Sequence, residues 1–246
     1  MANQYFVKQV YTTFNFFIEN PEKHHIFNVM RARNGERLEL VFSDGKIALA
    51  EVVNAEKAEF KVIKEINRNN ELPIEVTIAV GFPKGDKLDF ITEKATELGA
   101  SAIWGAPFEW SVVKWNQEKL LKREQKLAKI AQGAAEQSKR NLIPEIKLFE
   151  KFTEFFEKLH DFDKVIVAYE ESAKLGELSK FVQVVDQRPT KIIVIFGPEG
   201  GISPQEVNSF KDNGAELVGL GSRILRAETA PLYALSAISA LLELNK

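Results

Sequence analysis

At 246 residues and a formal net charge of −2, the chain has the length of one to two domains and no global attraction to nucleic acid. The absence of cysteine excludes a disulfide framework, a thiolate nucleophile and a cysteine metal site, and three histidines, two of them adjacent, give no expectation of a metal centre. No apolar run reaches the ~18–20 residues of a membrane span, and Met1-Ala2-Asn3-Gln4-Tyr5-Phe6 lacks a signal-peptide layout, so a cytoplasmic location is expected.

Up to about residue 72, short alternating runs dominate. Leu38, Leu40 and Phe42 are separated from Ile47 and Leu49 by Ser43-Asp44-Gly45. Asp-Gly between two alternating runs predicts a hairpin, because both turn residues tolerate positive φ. Phe60-Lys61-Val62-Ile63 predicts a further strand, and the whole segment reads as a small β-barrel domain over residues 1–72. The polar stretch Asn67-Arg68-Asn69-Asn70-Glu71-Leu72-Pro73 reads as the linker.

From 73 to 246 the hydrophobic period switches between two and 3.6. Ile74 to Val80 predicts a strand; Leu88, Ile91, Ala95 and Leu98 share one helix face, which Gly99 terminates. Ala102-Ile103-Trp104 predicts a second strand. A helix follows and ends before Pro144, with Leu120, Leu127, Ile130 and Ala134 as its buried stripe. Residues 114–140 carry eight basic side chains against three acidic ones. That surplus suits a solvated helix face or a phosphate-facing one. Lys164 to Tyr169 and Lys191 to Ile195 are apolar enough to be buried parallel strands, so the segment reads as an α/β domain with a mostly parallel sheet.

Two glycine-rich segments carry the functional information. Phe196-Gly197-Pro198-Glu199-Gly200-Gly201-Ile202 leads into Ser203-Pro204-Gln205-Glu206, where serine fits the N-cap, proline the first helical position and glutamate a capping box. The helix should run from about 204 to 213, with Gly214 as its C-cap. Leu220-Gly221-Ser222-Arg223-Ile224-Leu225-Arg226-Ala227-Glu228-Thr229-Ala230 opens into the last helix, with Thr229 as a candidate cap and Pro231 in its first turn. Strand, glycine turn and helix, twice in succession, is how an α/β protein builds a ligand site. Neither segment contains a P-loop or a Gly-x-Gly-x-x-Gly fingerprint, and there is no Gly-x-Ser-x-Gly elbow. Arg223, Arg226 and Glu228 cluster in the second loop as a candidate site or as an arginine–glutamate pair that holds the loop shut.

Together these two segments resemble the signature motifs of the 16S ribosomal RNA uracil N3-methyltransferases (the RsmE family) of the SPOUT superfamily. The resemblance extends to His24-His25-Ile26-Phe27-Asn28-Val29-Met30-Arg31, to Lys84-Gly85-Asp86-Lys87 with Glu93-Lys94-Ala95-Thr96-Glu97, and to Ala134-Ala135-Glu136-Gln137-Ser138-Lys139-Arg140. It implies a PUA-like N-terminal barrel that binds RNA and a C-terminal SPOUT domain with a trefoil knot. It also implies a homodimer, S-adenosylmethionine as cofactor, no metal, and 16S ribosomal RNA, within the small subunit, as substrate. By the resemblance the cofactor pocket comprises Gly197, Pro198, Glu199, Gly200, Gly201, Leu220, Gly221, Arg223, Ile224, Leu225, Thr229 and Ala230. Glu228 is the candidate base and Arg226 the candidate group for charge developing on a uracil carbonyl, while Arg31, Arg33, Lys139 and Arg140 are candidate RNA contacts. The chain departs from the family pattern at Gln4, at Lys122-Arg123, and at Glu109-Trp110-Ser111, where Glu-Arg-Ser is usual. Two alternatives stay open at this point: a non-catalytic RNA-binding or assembly factor that keeps the fold, and a knotted methyltransferase acting on ribose or transfer RNA.

Overall fold

The computed structural model describes residues 2–170 and 178–244, so Met1 of the segment read for a leader lies outside the described residues. The chain divides into two compact units: residues 1–71 with 135–142, and residues 72–134 with 143–246. Residues 135–142 thus group with the first unit, whereas the sequence reading placed everything beyond 72 in the second.

The first unit is built on a five-stranded sheet. Its strands are β1 (Gln4–Phe6), β2 (Phe16–Phe17), β3 (Arg37–Val41), β4 (Ile47–Asn54) and β5 (Glu59–Ile66), in the order β1-β3-β4-β5-β2. The β3–β4 hairpin turns where expected, with Gly45 at φ 81°. Alternate residues Leu38 and Leu40 of β3, and Ala48, Ala50 and Val52 of β4, are buried with Phe60 and Ile26. Among the described residues β1 and β2 end the sheet without pairing with each other, so it is a curled open sheet and not a closed barrel. These terminal strands, three and two residues long, supply too few ladder bonds to close it.

Arg140 belongs to this unit and is 2% exposed. Its guanidinium forms an ion pair with Glu71, whose carboxylate also accepts hydrogen bonds from Asn141 N (2.7 Å) and Leu142 N (3.3 Å). The Arg140 carbonyl accepts a 2.7 Å hydrogen bond from Gln4 Nε2. Lys139 donates to the Ala2 carbonyl and lies 3.3 Å from Glu39. Of these two candidate RNA contacts, Arg140 has its buried guanidinium paired within the unit, and the partly exposed Lys139 is ion-paired there as well. Arg31 and Arg33 are exposed. Glu71→Ala should cost about 3–5 kcal/mol in urea unfolding, since it strands a buried guanidinium and two amides. A loss below 1 kcal/mol would show that Arg140 finds another partner.

The second unit is a three-layer α/β domain. Its six strands are β6 (Glu75–Gly81), β7 (Ala102–Ala106), β8 (Glu145–Leu148), β9 (Lys164–Ala168), β10 (Lys191–Phe196) and β11 (Glu216–Val218). They pair in parallel in the order β11-β9-β10-β6-β7-β8. The helices are α1 (Lys87–Glu97), α2 (Gln117–Gln137), α3 (Phe152–Glu157), α4 (Leu178–Asp186), α5 (Pro204–Asp212) and α6 (Thr229–Ser239). β10 shows why both faces are covered. Ile192, Val194 and Phe196 pack in one core with Ile91, Leu127 and Leu235, while Ile193 and Ile195 pack in the other with Phe155 and Phe210. A continuous apolar run with period-two facing requires a helix layer on each side.

The basic surplus around α2 is partly neutralised within the unit. Lys122 pairs with Glu118 at 2.6 Å, and Lys126 and Arg123 converge on Asp89 at 2.5 and 3.7 Å. Leu120, Leu127 and Ala134 are buried as the spacing predicts.

Candidate active site

Ligand sites in open parallel sheets form beyond the carboxyl ends of the strands, where neighbouring connections run in opposite directions. β6 and β10 are such neighbours: β6 leads to β7 on one side, and β10 leads past β9 to β11 on the other. The loops leaving these two strands open a crevice between them.

The loop after β10 is fixed at both ends. At its start, a Cβ on Gly197 would fall 2.8 Å from both the Gly201 carbonyl carbon and Ile202 Cγ1, so the chain can fold back only on glycine. Gly201 N donates to the Pro198 carbonyl at 2.8 Å, and Gly201 sits at φ 84°. At its far end the predicted capping box is formed: Ser203 Oγ accepts from Glu206 N and Glu206 Oε2 accepts from Ser203 N. Glu206 does more than cap. Its Oε1 accepts a 2.8 Å hydrogen bond from Glu109 N and so ties the loop after β7 to the same helix terminus.

The loop after β6 closes against this one. A Cβ on Gly81 would lie 2.4 Å from Pro198 Cδ and 2.6 Å from Pro198 N, so glycine at the end of β6 is what allows the contact. Lys84 N donates to Glu199 Oε1 at 3.0 Å. Lys87, the first residue of α1, places its ammonium 3.0 Å from Glu199 Oε1 and 3.1 Å from Glu228 Oε2, the latter an ion pair without hydrogen-bond alignment. One cation therefore joins the β6, β10 and β11 loops.

The charges respond accordingly. The hydrogen bond to Glu199, reinforced by Glu228, raises the Lys87 pKa above the ordinary lysine range. Burial opposes ionisation of Glu199, but Lys87 and the amides of Glu199 and Lys84 outweigh it and hold the carboxyl below the usual range. Glu228 is also lowered, by its own backbone amide and by the Lys87 and Arg226 charges, against a smaller cost of burial. The carboxylates contribute stability that is present above their unfolded pKa values and is lost as the pH falls through the lower folded ones.

A cavity of about 870 Å³ opens over these groups, walled by Gly197, Pro198, Glu199, Gly200 and Gly201, by Ile224, Leu225, Arg226, Glu228 and Ala230, and by Lys87 and Trp110. A second, of about 240 Å³, shares Ala168, Tyr169, Glu170, Ile224, Leu225 and Ala230 with it and adds Leu220, Gly221, Ser222 and Arg223. The structure thus brings both glycine segments onto one crevice. Of the expected cofactor residues, Thr229 alone is absent from both linings. It is also not the cap of α6: Glu228 occupies that position without a side-chain cap, and Thr229 N and Ala230 N bond to the Arg226 carbonyl. Among the described residues no arginine–glutamate ion pair shuts the second loop, and Glu228 pairs with Lys87. Gly81, Lys87, Tyr169 and Glu170 were not singled out from sequence as site residues. For Gly81, Tyr169 and Glu170 the signal was position, at or just beyond a strand's carboxyl end, and for Lys87 its place in the Lys84-Gly85-Asp86-Lys87 segment.

The RNA methyltransferase domain family matches residues 70–239 of this chain, and the RNA methyltransferase PUA domain family matches residues 18–65. The chain belongs to the RNA methyltransferase family. Ribosomal RNA small subunit methyltransferase E of Bacillus subtilis is 46% identical over 91% of this chain and 89% of its own length. Its counterpart from Synechocystis is 32% identical over 89% of this chain and 71% of its own. Among solved structures, a ribosomal RNA small subunit methyltransferase E from Neisseria gonorrhoeae, bound to S-adenosyl methionine, superposes with a TM-score of 0.82 at 29% identity, covering 98% of each chain. The RNA methyltransferase match encloses every residue of the crevice, and the PUA match covers β3, β4 and all but the last residue of β5.

Proposed function

We propose that this protein transfers a methyl group from S-adenosylmethionine to N3 of a uridine in 16S ribosomal RNA of the small subunit, acting as a homodimer with a trefoil knot threaded through its two glycine loops. The observation that carries the reading is the crevice between β6 and β10, where glycine loops, two ionised carboxylates and their shared lysine converge within the family's RNA methyltransferase domain.

The residues present suit the cofactor. The glycines at 197, 200 and 201 line the cavity without side chains, so the loop backbone is exposed to a planar ring, and Leu225 and Ala230 give that ring apolar walls. Glu199 and Glu228 offer negative charge to a sulfonium, and the lack of a phosphate cradle is consistent with a nucleoside that carries none. S-adenosylmethionine supplies the electrophilic methyl group.

What the protein adds is placement and charge. Uracil N3 carries a proton that must leave, and Glu228, kept ionised by its surroundings, accepts it. Arg226, exposed on the same wall, faces the negative charge that grows on the neighbouring carbonyl oxygen. Lys87 positions Glu228 by holding it to the β6 and β10 loops. Orientation supplies the larger share, since near-attack alignment is worth about 7–11 kcal/mol against 10²–10⁴-fold for proton transfer. Arg31 and Arg33 of the first unit contribute phosphate contacts.

Calorimetric titration with S-adenosylmethionine, followed by mass-spectrometric mapping of small-subunit RNA after incubation, tests the reading. Saturable binding that Gly201→Trp abolishes, with one new N3-methyluridine, is the expected result. Binding without methylation of any uridine would favour a different target, and a folded protein that binds no cofactor would overturn the enzyme reading.

A further inference from the structure

Trp110 presents an exposed aromatic face at the crevice. It is 44% exposed, although the other two tryptophans, Trp104 and Trp115, are 5% and 7% exposed and belong to the cores. Its exposure is not a by-product of a loose loop. Ser111 N donates to the Phe108 carbonyl (3.0 Å), Phe108 N donates to Ser111 Oγ (3.1 Å), and Glu109 N is held by Glu206. Gly200 removes the last obstacle: a Cβ there would meet Trp110 Cβ at 3.0 Å and its carbonyl oxygen at 3.1 Å. A rigid turn, tied to a helix terminus and packed on a glycine, thus holds a large apolar ring on the wall of the 870 Å³ cavity, with Lys87, Arg226 and Glu228 among its other walls. Ile224, 80% exposed, lines the same cavity. Phe196, also on the lining, is buried and Tyr169 half-buried, so among the described residues Trp110 is the exposed aromatic of the site.

A pyrimidine ring whose N3 lies within reach of a protein side chain must first leave its stack, because N3 is the pairing edge. The lost stacking needs a replacement, and an aromatic face supplies it to any base, worth about 1–3 kcal/mol. We infer that the indole of Trp110 is the platform on which the displaced target pyrimidine stacks, with its pairing edge turned towards Glu228. The inference rests on the proposed methyl transfer to uridine N3 for its direction, while the stacking itself is read independently.

Two variants and two readouts test it in the full-length protein. Stacking of this kind predicts that Trp110→Ala lowers kcat/KM for small-subunit RNA roughly 5- to 140-fold, that Trp110→Phe recovers most of the loss, and that S-adenosylmethionine affinity stays within twofold of wild type. The second readout needs no turnover. Because Trp104 and Trp115 are buried, a single-stranded uridine oligonucleotide should quench the emission of the wild-type protein and protect it from acrylamide, and should do neither in Trp110→Phe. Equal quenching in both proteins, or wild-type kcat/KM in Trp110→Ala, would overturn the assignment. Loss of cofactor affinity in Trp110→Ala would instead give the ring to the cofactor. Emission that changes with protein concentration in the absence of RNA would place it between two copies of the chain; both outcomes refute the platform. If the wild-type protein methylates no RNA while the oligonucleotide still quenches Trp110, the reaction assigned above fails and the stacking site stands.

Discussion

Gly81→Ala is expected to abolish measurable S-adenosylmethionine binding in a protein that still folds. The methyl group would have to occupy space 2.4 Å from Pro198 Cδ and 2.6 Å from Pro198 N, and a backbone nitrogen cannot rotate away as a side-chain tip can. Relief must come from moving the whole β10 loop, including Glu199 and with it the Lys87 bridge. A displacement near 1 Å is enough to cost about 100-fold in function, so calorimetry should record at least that loss of affinity. Overpacking of this size should also take about 1–3 kcal/mol from urea stability. Gly133→Ala is the control: Gly133 lies inside α2 with nothing within 4 Å of its Cβ position, so the change should leave binding untouched and raise stability by up to about 1 kcal/mol. Wild-type affinity in Gly81→Ala would show that the two loops do not need to touch.

Glu228→Gln should bind the cofactor within a few-fold of wild type and lose about 10²–10⁴-fold in kcat. The substitution keeps the shape of the side chain and removes only its capacity to accept a proton and its charge opposite Lys87. A more discriminating form of the experiment varies pH. Because its own amide and the Lys87 and Arg226 charges hold the Glu228 carboxyl below the ordinary carboxylate range, wild-type kcat should stay flat on descending from neutrality until the pH falls below that range. Lys87→Met removes the neighbouring ammonium, the charged carboxylate loses its partner, and the pKa rises; the acid limb of kcat must then move to higher pH. An acid limb that does not move in Lys87→Met, or full turnover in Glu228→Gln, would remove Glu228 from the proton transfer.

What was legible in the sequence was what depends on neighbours along the chain. The Asp44-Gly45 hairpin, the buried run Ile192 to Ile195, the Gly99 stop and the Ser203–Glu206 capping box each declare themselves within a few residues, because the interactions that enforce them are local. The two glycine segments could be marked as site loops for the same reason. The parts that escaped are pairings between distant segments. Nothing near Gly81 announces that Pro198 will press on it, and nothing near Lys87 announces two glutamates from other loops. Arg140 belongs with them: in a basic stretch it reads as a phosphate contact, and nothing near it in sequence announces its pairing with Glu71. The closed barrel failed on length, since the terminal strands β1 and β2 are three and two residues long.

The central pairing of the sheet also dictates when the site can come into being. β6 lies between β7, which follows it soon, and β10, whose Lys191 pairs with Glu75 only after most of the polypeptide has been made. During synthesis at roughly 5–20 residues per second, one edge of β6 and the underside of Gly81 therefore wait unpaired for seconds. Until β10 inserts beside β6, neither the crevice nor the lysine bridge exists, and any nascent chain cut short before residue 191 carries an open hydrophobic strand edge that invites aggregation. Ligand-binding competence in this molecule is therefore a late event of biosynthesis, and a chaperone that shields β6 would act on the yield of active enzyme without touching the finished active site.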